Sequence, residues 1–309
     1  MLKNILKSNK HKDLDLNNEY HEEYQYINLI KDILNEGTIE KGRNGNTLVT
    51  IGSCMHFSLE NNKIPILTTK KTAWKTCLKE LLWFIKGQTS NKILTEQNVH
   101  IWDGNSSREF LDSRGLKFYS EGDLGPIYGF QWRNFNAHYD TCNHDYSYKG
   151  IDQLQEVIDT LKDPEKRTSR RMIVSAWNPC QLNDMALPPC HVMFQFHVTK
   201  GNKLSCTMYQ RSIDEICGSP FNIASYSFLT HLIAKHCDLE PHEFIYYMGN
   251  CHIYEEHIED AKVQIERKPY EFPSLEIVNK RENINDYVMD DFKLHNYEHH
   301  PQIKVKMVV

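Results

Sequence analysis

The chain has 309 residues, enough for one large domain or two small ones with a sizeable core, and too many for a peptide hormone or a disulfide miniprotein. Its 36 Lys and Arg against 41 Asp and Glu give a formal charge of -5, so no global basic field holds a nucleic-acid backbone, and an anionic ligand needs a local basic site. With 40% hydrophobic and 25% charged residues, it carries the apolar surface of a globular chain rather than a disordered one.

Residues 1 to about 23 are polar, rich in Lys, Asn and Asp, and without sustained periodicity, which reads as a tail or linker. They lack the apolar core of a signal peptide, and their acids argue against a mitochondrial presequence. Order is expected from Tyr24, where Ile27, Ile30 and Leu34 recur at helical spacing up to Gly37. A second helix is expected at Trp74, Cys77, Leu78, Leu81, Leu82 and Ile85, ending before Gly87, and a third at Ile151, Leu154, Ile158 and Leu161.

After residue 171 the period becomes two. Val192, Phe194, Phe196 and Val198 alternate with His191, Met193, Gln195 and His197, and Gly201-Asn202 supplies a turn, so a hairpin is expected. Its second strand sets Leu204, Cys206 and Met208 on one face and Ser205, Thr207, Tyr209 and Arg211 on the other. A helix from about Phe221 to His236, a short strand at Phe244 to Met248 and a helix from about Glu255 complete a mixed α+β pattern without repeats or an internal linker. No apolar run approaches the roughly 20 residues that cross a bilayer.

The nine cysteines form an odd set with no C-x-x-C pair, which argues against a disulfide framework and for a reducing, cytoplasmic compartment. Cys190 stands behind two prolines in Ala186-Leu-Pro-Pro-Cys190-His191, which fix the approach of the chain. One cysteine of nine is more often an apolar filler than a nucleophile. Arg211, at the end of the neighbouring strand, favours the nucleophile, because a nearby cation raises the thiolate fraction. The run Lys166-Arg167-Thr168-Ser169-Arg170-Arg171 suits a phosphate or is a solvated turn. His252 and Tyr254, two apart, would share one side of an extended stretch and reach a sugar hydroxyl, or be two polar core residues. No set of Cys and His has metal-ligand spacing, so no metal site is expected.

Taken together, Ala186-Leu-Pro-Pro-Cys190-His191, Leu204-Ser-Cys-Thr-Met-Tyr-Gln210-Arg211-Ser212, Pro220-Phe-Asn222-Ile-Ala-Ser-Tyr226 and His252-Ile-Tyr254 resemble the thymidylate synthases in order, spacing and identity. The likeness runs from about Tyr24 through Glu80-Leu-Leu-Trp-Phe-Ile, Ile101-Trp-Asp, Asp123-Leu-Gly-Pro-Ile-Tyr128 and Ser169-Arg-Arg171 to Val309, so residues 24–309 are expected to form that domain. It implies an α+β fold with a central mixed sheet flanked by helices, and a homodimer packed sheet to sheet. The implied reaction is reductive methylation of dUMP to dTMP, with 5,10-methylenetetrahydrofolate giving both the carbon and the hydride, without a metal.

By the same resemblance Cys190 adds to uracil C6, which turns C5 into a carbon nucleophile. Asn222 reads the uracil edge, since an amide both donates and accepts. Arg43, Gln210, Arg211 and Ser212 would hold the nucleotide, with Arg170 and Arg171 reaching its phosphate from the other subunit, and His252 and Tyr254 the ribose. Glu80, Tyr128 and His191 would handle protons. Asp214 would orient the pterin, and Trp102, Asn105, Phe221 and Val309 would wall and close the folate side.

The chain departs from the family pattern in three places. The Arg43-Asn-Gly-Asn-Thr-Leu loop is one residue shorter than usual, and the stretch from Asp163 to Arg170 is two longer. Cys217 stands where a leucine would pack on folate, a place where folate affinity or antifolate response can differ. The rival activities are a nucleotide hydroxymethylase of the same fold and an inactive relative that binds RNA; Asn222, Trp102 and the intact tail weigh against the first, and the charge balance against the second. The N-terminal tail also resembles the segment after a dihydrofolate reductase domain in fused protist enzymes, so fusion to or association with such a reductase is one expectation.

Overall fold

The computed structural model describes residues 21–42, 44–199 and 201–305. The chain is tied down before its first helix: the buried carboxylate of Glu23 accepts from the backbone N–H and the hydroxyl of both Thr68 and Thr69. Helix α1 (Tyr24–Glu36) buries Tyr26, Ile27, Leu29, Ile30 and Ile33, the stripe its periodicity predicts. A hairpin follows, β1 (Thr38–Gly42) and β2 (Gly45–Ser58). Helix α2 (Trp74–Ile85) buries Cys77, Leu78, Leu81, Leu82 and Ile85, again as its spacing requires.

Short helices α3 (Asn91–Thr95), α4 (Asp103–Ser106) and α5 (Arg108–Ser113) lead to α6 (Tyr128–Asn134). Helix α7 (Gln153–Lys162) is started by Asp152, whose side chain accepts from the Gln155 N–H and so satisfies one of the unpaired donors of the first turn. Strand β3 (Ile173–Ser175) pairs with β4 (His191–Thr199), which forms the expected hairpin with β5 (Lys203–Asp214) across a turn containing Gly201 at φ +89.

The β4 to β5 register shifts between His191 and Met193. That bulge corrects the strict alternation expected from sequence: His191 turns to the buried side with Phe194, while Met193 stays exposed.

Helix α8 (Ser219–His236), with Pro220 in its first turn, is buried on nearly every side and forms the centre of the core against α2 and the sheet. Strand β6 (Glu240–Tyr254) is three times the length expected, because it lies between β2 and β5 and its polar second half is held by ladders on both edges. Gly249 lets those strands close: a Cβ there would stand 2.7 Å from the Arg211 carbonyl oxygen. A 3-10 turn (Glu255–His257) then precedes α9 (Ile258–Ile265), and β7 (Ser274–Ile277) and β8 (Phe292–His295) form a separate two-stranded ladder.

The main sheet runs β1-β2-β6-β5-β4-β3, antiparallel except for the parallel pair β5 and β6, so the α+β expectation holds. One face packs on α1 and α8, with α2 against α8. The other carries a cross-strand row, Cys54, Tyr247, Tyr209 and Met193, all exposed. Among the described residues, no helix is long and apolar enough to cross a membrane.

Candidate active site

Strands β5 and β6, the turn after β5 and the first turn of α8 surround a cleft of about 1020 Å³. Cys190 lines it from the residue before β4. Its N–H donates to the Tyr128 hydroxyl at 2.8 Å, and its carbonyl accepts from the Arg211 N–H at 2.9 Å. Both backbone groups are therefore fixed, and the sulfur is aimed by the chain rather than by a flexible loop. The Arg211 side chain returns to the same segment: Nε donates to the Pro189 carbonyl at 2.8 Å, and Nη2 donates to the Pro188 carbonyl at 3.0 Å and to the Cys190 sulfur at 3.8 Å. The guanidinium also lies over the Trp177 ring, 5.6 Å from its centroid. A rigidly held cation beside a thiol is the arrangement that raises its thiolate fraction.

The remaining cysteines offer no comparable nucleophile in the cleft. Cys217 also lines it, but burial and the neighbouring Asp214 push its thiol up to about 12. Burial raises Cys206 and Cys237 to about 12 as well, and Cys77 and Cys251 upward with them. None of the nine is in a disulfide.

Asn222, in the first turn of α8, faces the cleft, and its Oδ1 accepts from the Gln210 Nε2 at 3.2 Å. Gln210 is in turn fixed by donating to the Ser212 carbonyl at 3.0 Å and accepting from the buried Tyr246 hydroxyl at 2.7 Å. This chain sets which way the Asn222 amide points, so one edge donates and the other accepts in a defined order. His252 and Tyr254 line the same wall with rings 5.4 Å apart and perpendicular, as their i, i+2 spacing on an extended strand requires. Asn250 joins them, its Oδ1 2.9 Å from the His252 Nδ1. The sequence reading missed Asn250, although the same spacing of two would have found it.

The proton-handling candidates gather around the Cys190 segment. Burial pushes the Glu80 carboxyl up to about 7, against the opposing effect of the Trp102 Nε1–H, which donates to it at 2.7 Å. Burial also raises Tyr128 well above the ordinary tyrosine range. His191 stacks on Tyr128 with centroids 4.1 Å apart, and its Nδ1 lies 2.7 Å from the Tyr226 hydroxyl. Burial drives this imidazole down to about 3, so it is neutral at physiological pH.

Trp102, Asn105, Phe221, Ser212 and Asp214 line the cleft as well. Asp214 is held by its own turn, Oδ1 accepting from the N–H of Ile216 at 2.9 Å and of Cys217 at 3.2 Å. Lys70, missed in the sequence, enters beside it; the ammonium donates to the Ile216 carbonyl at 2.6 Å, and burial lowers it to about 8. Nothing in its Thr-Thr-Lys context sets it apart from a surface lysine. Arg170 and Arg171 do not reach this cleft: they are exposed at the β3 edge of the sheet, far along the strand order from β6. Arg43 and Val309 lie outside the described residues.

A family model described as thymidylate synthase matches residues 24–309. The chain belongs to the thymidylate synthase family. Its relatives include a "Bifunctional dihydrofolate reductase-thymidylate synthase" of Zea mays, 51% identical over 94% of this chain, and one of Leishmania major, 47% identical over 94%. A protein of the same description from Paramecium tetraurelia is 48% identical over 99%. This chain spans 55%, 56% and 65% of those relatives' lengths, a little over half in most. The fold is thus that of a family member.

Proposed function

We propose that the chain carries out the reductive methylation of dUMP to dTMP, with Cys190 as the nucleophile. The observation that carries this reading is one cleft in which a cation-paired cysteine stands with an orientationally fixed asparagine and a His-Tyr pair. The Cys190 thiolate forms a bond to uracil C6, and the ring electrons move toward C5 and O4, making C5 nucleophilic. Asn222 accepts from uracil N3–H and donates to O4, which an ionised aspartate could not do. Arg211 and Ser212 hold the phosphate, Gln210 acts through Asn222, and His252 and Tyr254 take the ribose hydroxyl. Glu80, titrating near 7, exchanges protons with the pyrimidine through the Tyr128 and His191 network. Arg43 belongs with the phosphate ligands in this reading.

A volume of about 1020 Å³ exceeds what a nucleotide alone would fill, and the aromatic wall of Trp102 and Phe221 fits a flat heterocycle beside it. Bound there, 5,10-methylenetetrahydrofolate would supply the carbon and the hydride. Asp214 would orient its pterin, and Asn105 and the Val309 end of the chain would limit water.

The proposal includes a homodimer. The exposed row Tyr247, Tyr209 and Met193, with Ile173 toward the β3 edge, is an apolar strip on a sheet face left exposed among the described residues, which favours burial against a second copy. In that assembly Arg170 and Arg171 would serve the partner's phosphate site. Residues 24–309 form the catalytic domain in this reading, in a cytoplasmic protein fused to or working beside a dihydrofolate reductase, as the names of its relatives suggest.

Mixing purified protein with dUMP and methylenetetrahydrofolate tests the reading. A rise in near-ultraviolet absorbance with dTMP as product is expected. A flat trace with a hydroxymethylated nucleotide would assign the chain to the hydroxymethylases, and no turnover with tight RNA binding would assign it to the inactive relatives.

A further inference from the structure

Beside the folate half of the cleft lies a donor set that the proposed reaction uses only in part. Asp214, Cys217 and His257 bring one carboxylate oxygen, one sulfur and one imidazole nitrogen within 4.8 Å of one another. Glu256 adds a carboxylate oxygen 3.9 Å from the His257 Nε2. Asp214 and Cys217 share one turn while Glu256 and His257 lie well beyond it in sequence, and the parallel pairing of β5 with β6 unites the two pairs. Asp214 stands opposite His252 in that ladder, and the Glu215 N–H donates to the His252 carbonyl at 2.9 Å. The turn after β5 and the turn after β6 are thereby locked side by side, and the Asp214 carboxylate folds the first turn back so that Cys217 faces it.

The donor chemistry is selective. Magnesium and calcium take oxygen ligands, and a sulfur and an imidazole contribute little to either. A thiolate, an imidazole and a carboxylate in a tetrahedral arrangement are the ligands of zinc, with bonds of about 2.0–2.3 Å and ligand atoms therefore about 3.5 Å apart. Donors within 4.8 Å of one another lie close to that spacing before any ion is bound.

We propose that Asp214, Cys217 and His257 form an inhibitory zinc site at the folate side of the cleft. On binding, the Cys217 thiol releases its proton to solvent and a sulfur–zinc bond forms, with no change of oxidation state. The ion takes the Asp214 carboxylate, and because Asp214 and Cys217 both line the cleft it obstructs the space assigned above to the pterin. This blockade rests on the reading of Asp214 as the pterin's partner; the metal site itself does not. Lys70 places a competing cation next to the same groups, so the ion is a reversible occupant rather than a resident one.

The test uses the full chain, freed of metal by chelation and desalting, with cobalt(II) as the probe and zinc(II) as its competitor. One equivalent of cobalt should bind with a thiolate charge-transfer band, and zinc should abolish the band. The band should be absent in Cys217→Ala, at least about tenfold weaker in affinity in His257→Gln, and unchanged in Cys190→Ala. Thermal melts of each variant establish that it is folded. With turnover as a second readout, zinc should inhibit competitively with methylenetetrahydrofolate and reversibly on chelation. Cys217→Ala and His257→Gln, each judged against its own metal-free rate, should need at least about tenfold more zinc. A band that survives Cys217→Ala or disappears in Cys190→Ala overturns the site, as does the absence of saturable binding. Cobalt bound through Cys217 without competition against folate overturns the inhibitory role. Cobalt bound in a protein that never methylates dUMP leaves the metal site standing and removes the proposed reaction instead.

Discussion

The Arg211 guanidinium donates to the Cys190 sulfur at 3.8 Å while the carbonyls of Pro188 and Pro189 anchor it. Lysine cannot reproduce that fork, because its single ammonium lacks the planar donors that span two carbonyls and a sulfur. Arg211→Lys should slow iodoacetamide labelling of Cys190 at neutral pH by about tenfold and shift its labelling profile to higher pH, read by peptide mass spectrometry. An unchanged profile would mean that this pairing does not govern the sulfur.

Cys190→Ala should lower turnover by at least about 10³-fold while dUMP binding stays within a few-fold, since the nucleotide's other contacts remain. Calorimetric titration with dUMP and the absorbance assay together measure both. Full turnover in the variant would remove covalent addition from the mechanism.

Base selectivity should follow the chain from Tyr246 through Gln210 to Asn222. Asn222→Asp should move preference toward dCMP. Tyr246→Phe leaves the Gln210 oxygen without its buried donor, at a cost of about 1–2 kcal/mol, or roughly five- to thirtyfold in the dUMP to dCMP ratio. Paired kcat/KM measurements on the two nucleotides would show it; equal loss on both would make Tyr246 a structural residue only.

Glu80 gives the pH profile a specific signature. Its carboxyl titrates near 7 because burial disfavours the anion more than the Trp102 N–H favours it. Removing that donor in Trp102→Phe should carry the Glu80 limb of the kcat profile to higher pH, and Glu80→Gln should erase the limb with a loss of about 10²–10⁴ in rate. A limb that stays near 7 in Glu80→Gln belongs to another group.

Glu215 makes a prediction about stability. It is fully buried behind the cleft, and burial raises its carboxyl to about 8 from an ordinary 4.5. Between those values the folded chain keeps a proton that the unfolded chain has lost, so this contribution is complete in acid and lost as pH rises through about 8, by up to about 1.4 kcal/mol per unit of pH. Urea midpoints at fixed protein concentration should therefore fall less between pH 5.5 and 8.5 in Glu215→Gln than in the parent chain.

Which parts of this molecule were legible in sequence follows from what each element is held by. Helices α1, α2 and α7 and the β4 to β5 hairpin were visible because one buried stripe or face per element writes a period into the residues. The second half of β6 was not, because Asn250 and His252 are kept extended by ladders on both sides rather than by hydrophobic alternation. The orientation of His191 was read wrongly for a related reason: a bulge is a property of two paired strands and leaves no mark in one. The β1 to β2 hairpin went unread among polar residues. In the site, the residues in long motifs met in one cleft, whereas Lys70 entered through tertiary packing alone, and Arg170 and Arg171 stand outside it. Their proposed role across a dimer has its own readout: Arg171→Ala and Cys190→Ala chains, each inactive alone, should regain activity on mixing and refolding.

The way Arg211 is tethered has an effect on timing. Its anchors are peptide dipoles rather than an acid, so its positive charge is steadied without being cancelled, in a chain that is negative as a whole. A nucleotide phosphate bound as proposed would meet an unspent counterion and, by drawing on it, weaken the grip on the sulfur at the moment of docking. In the proposed reaction a nucleotide would thus dampen the thiolate as it docks, and an idle cleft should be more vulnerable to alkylating agents than one already holding a nucleotide.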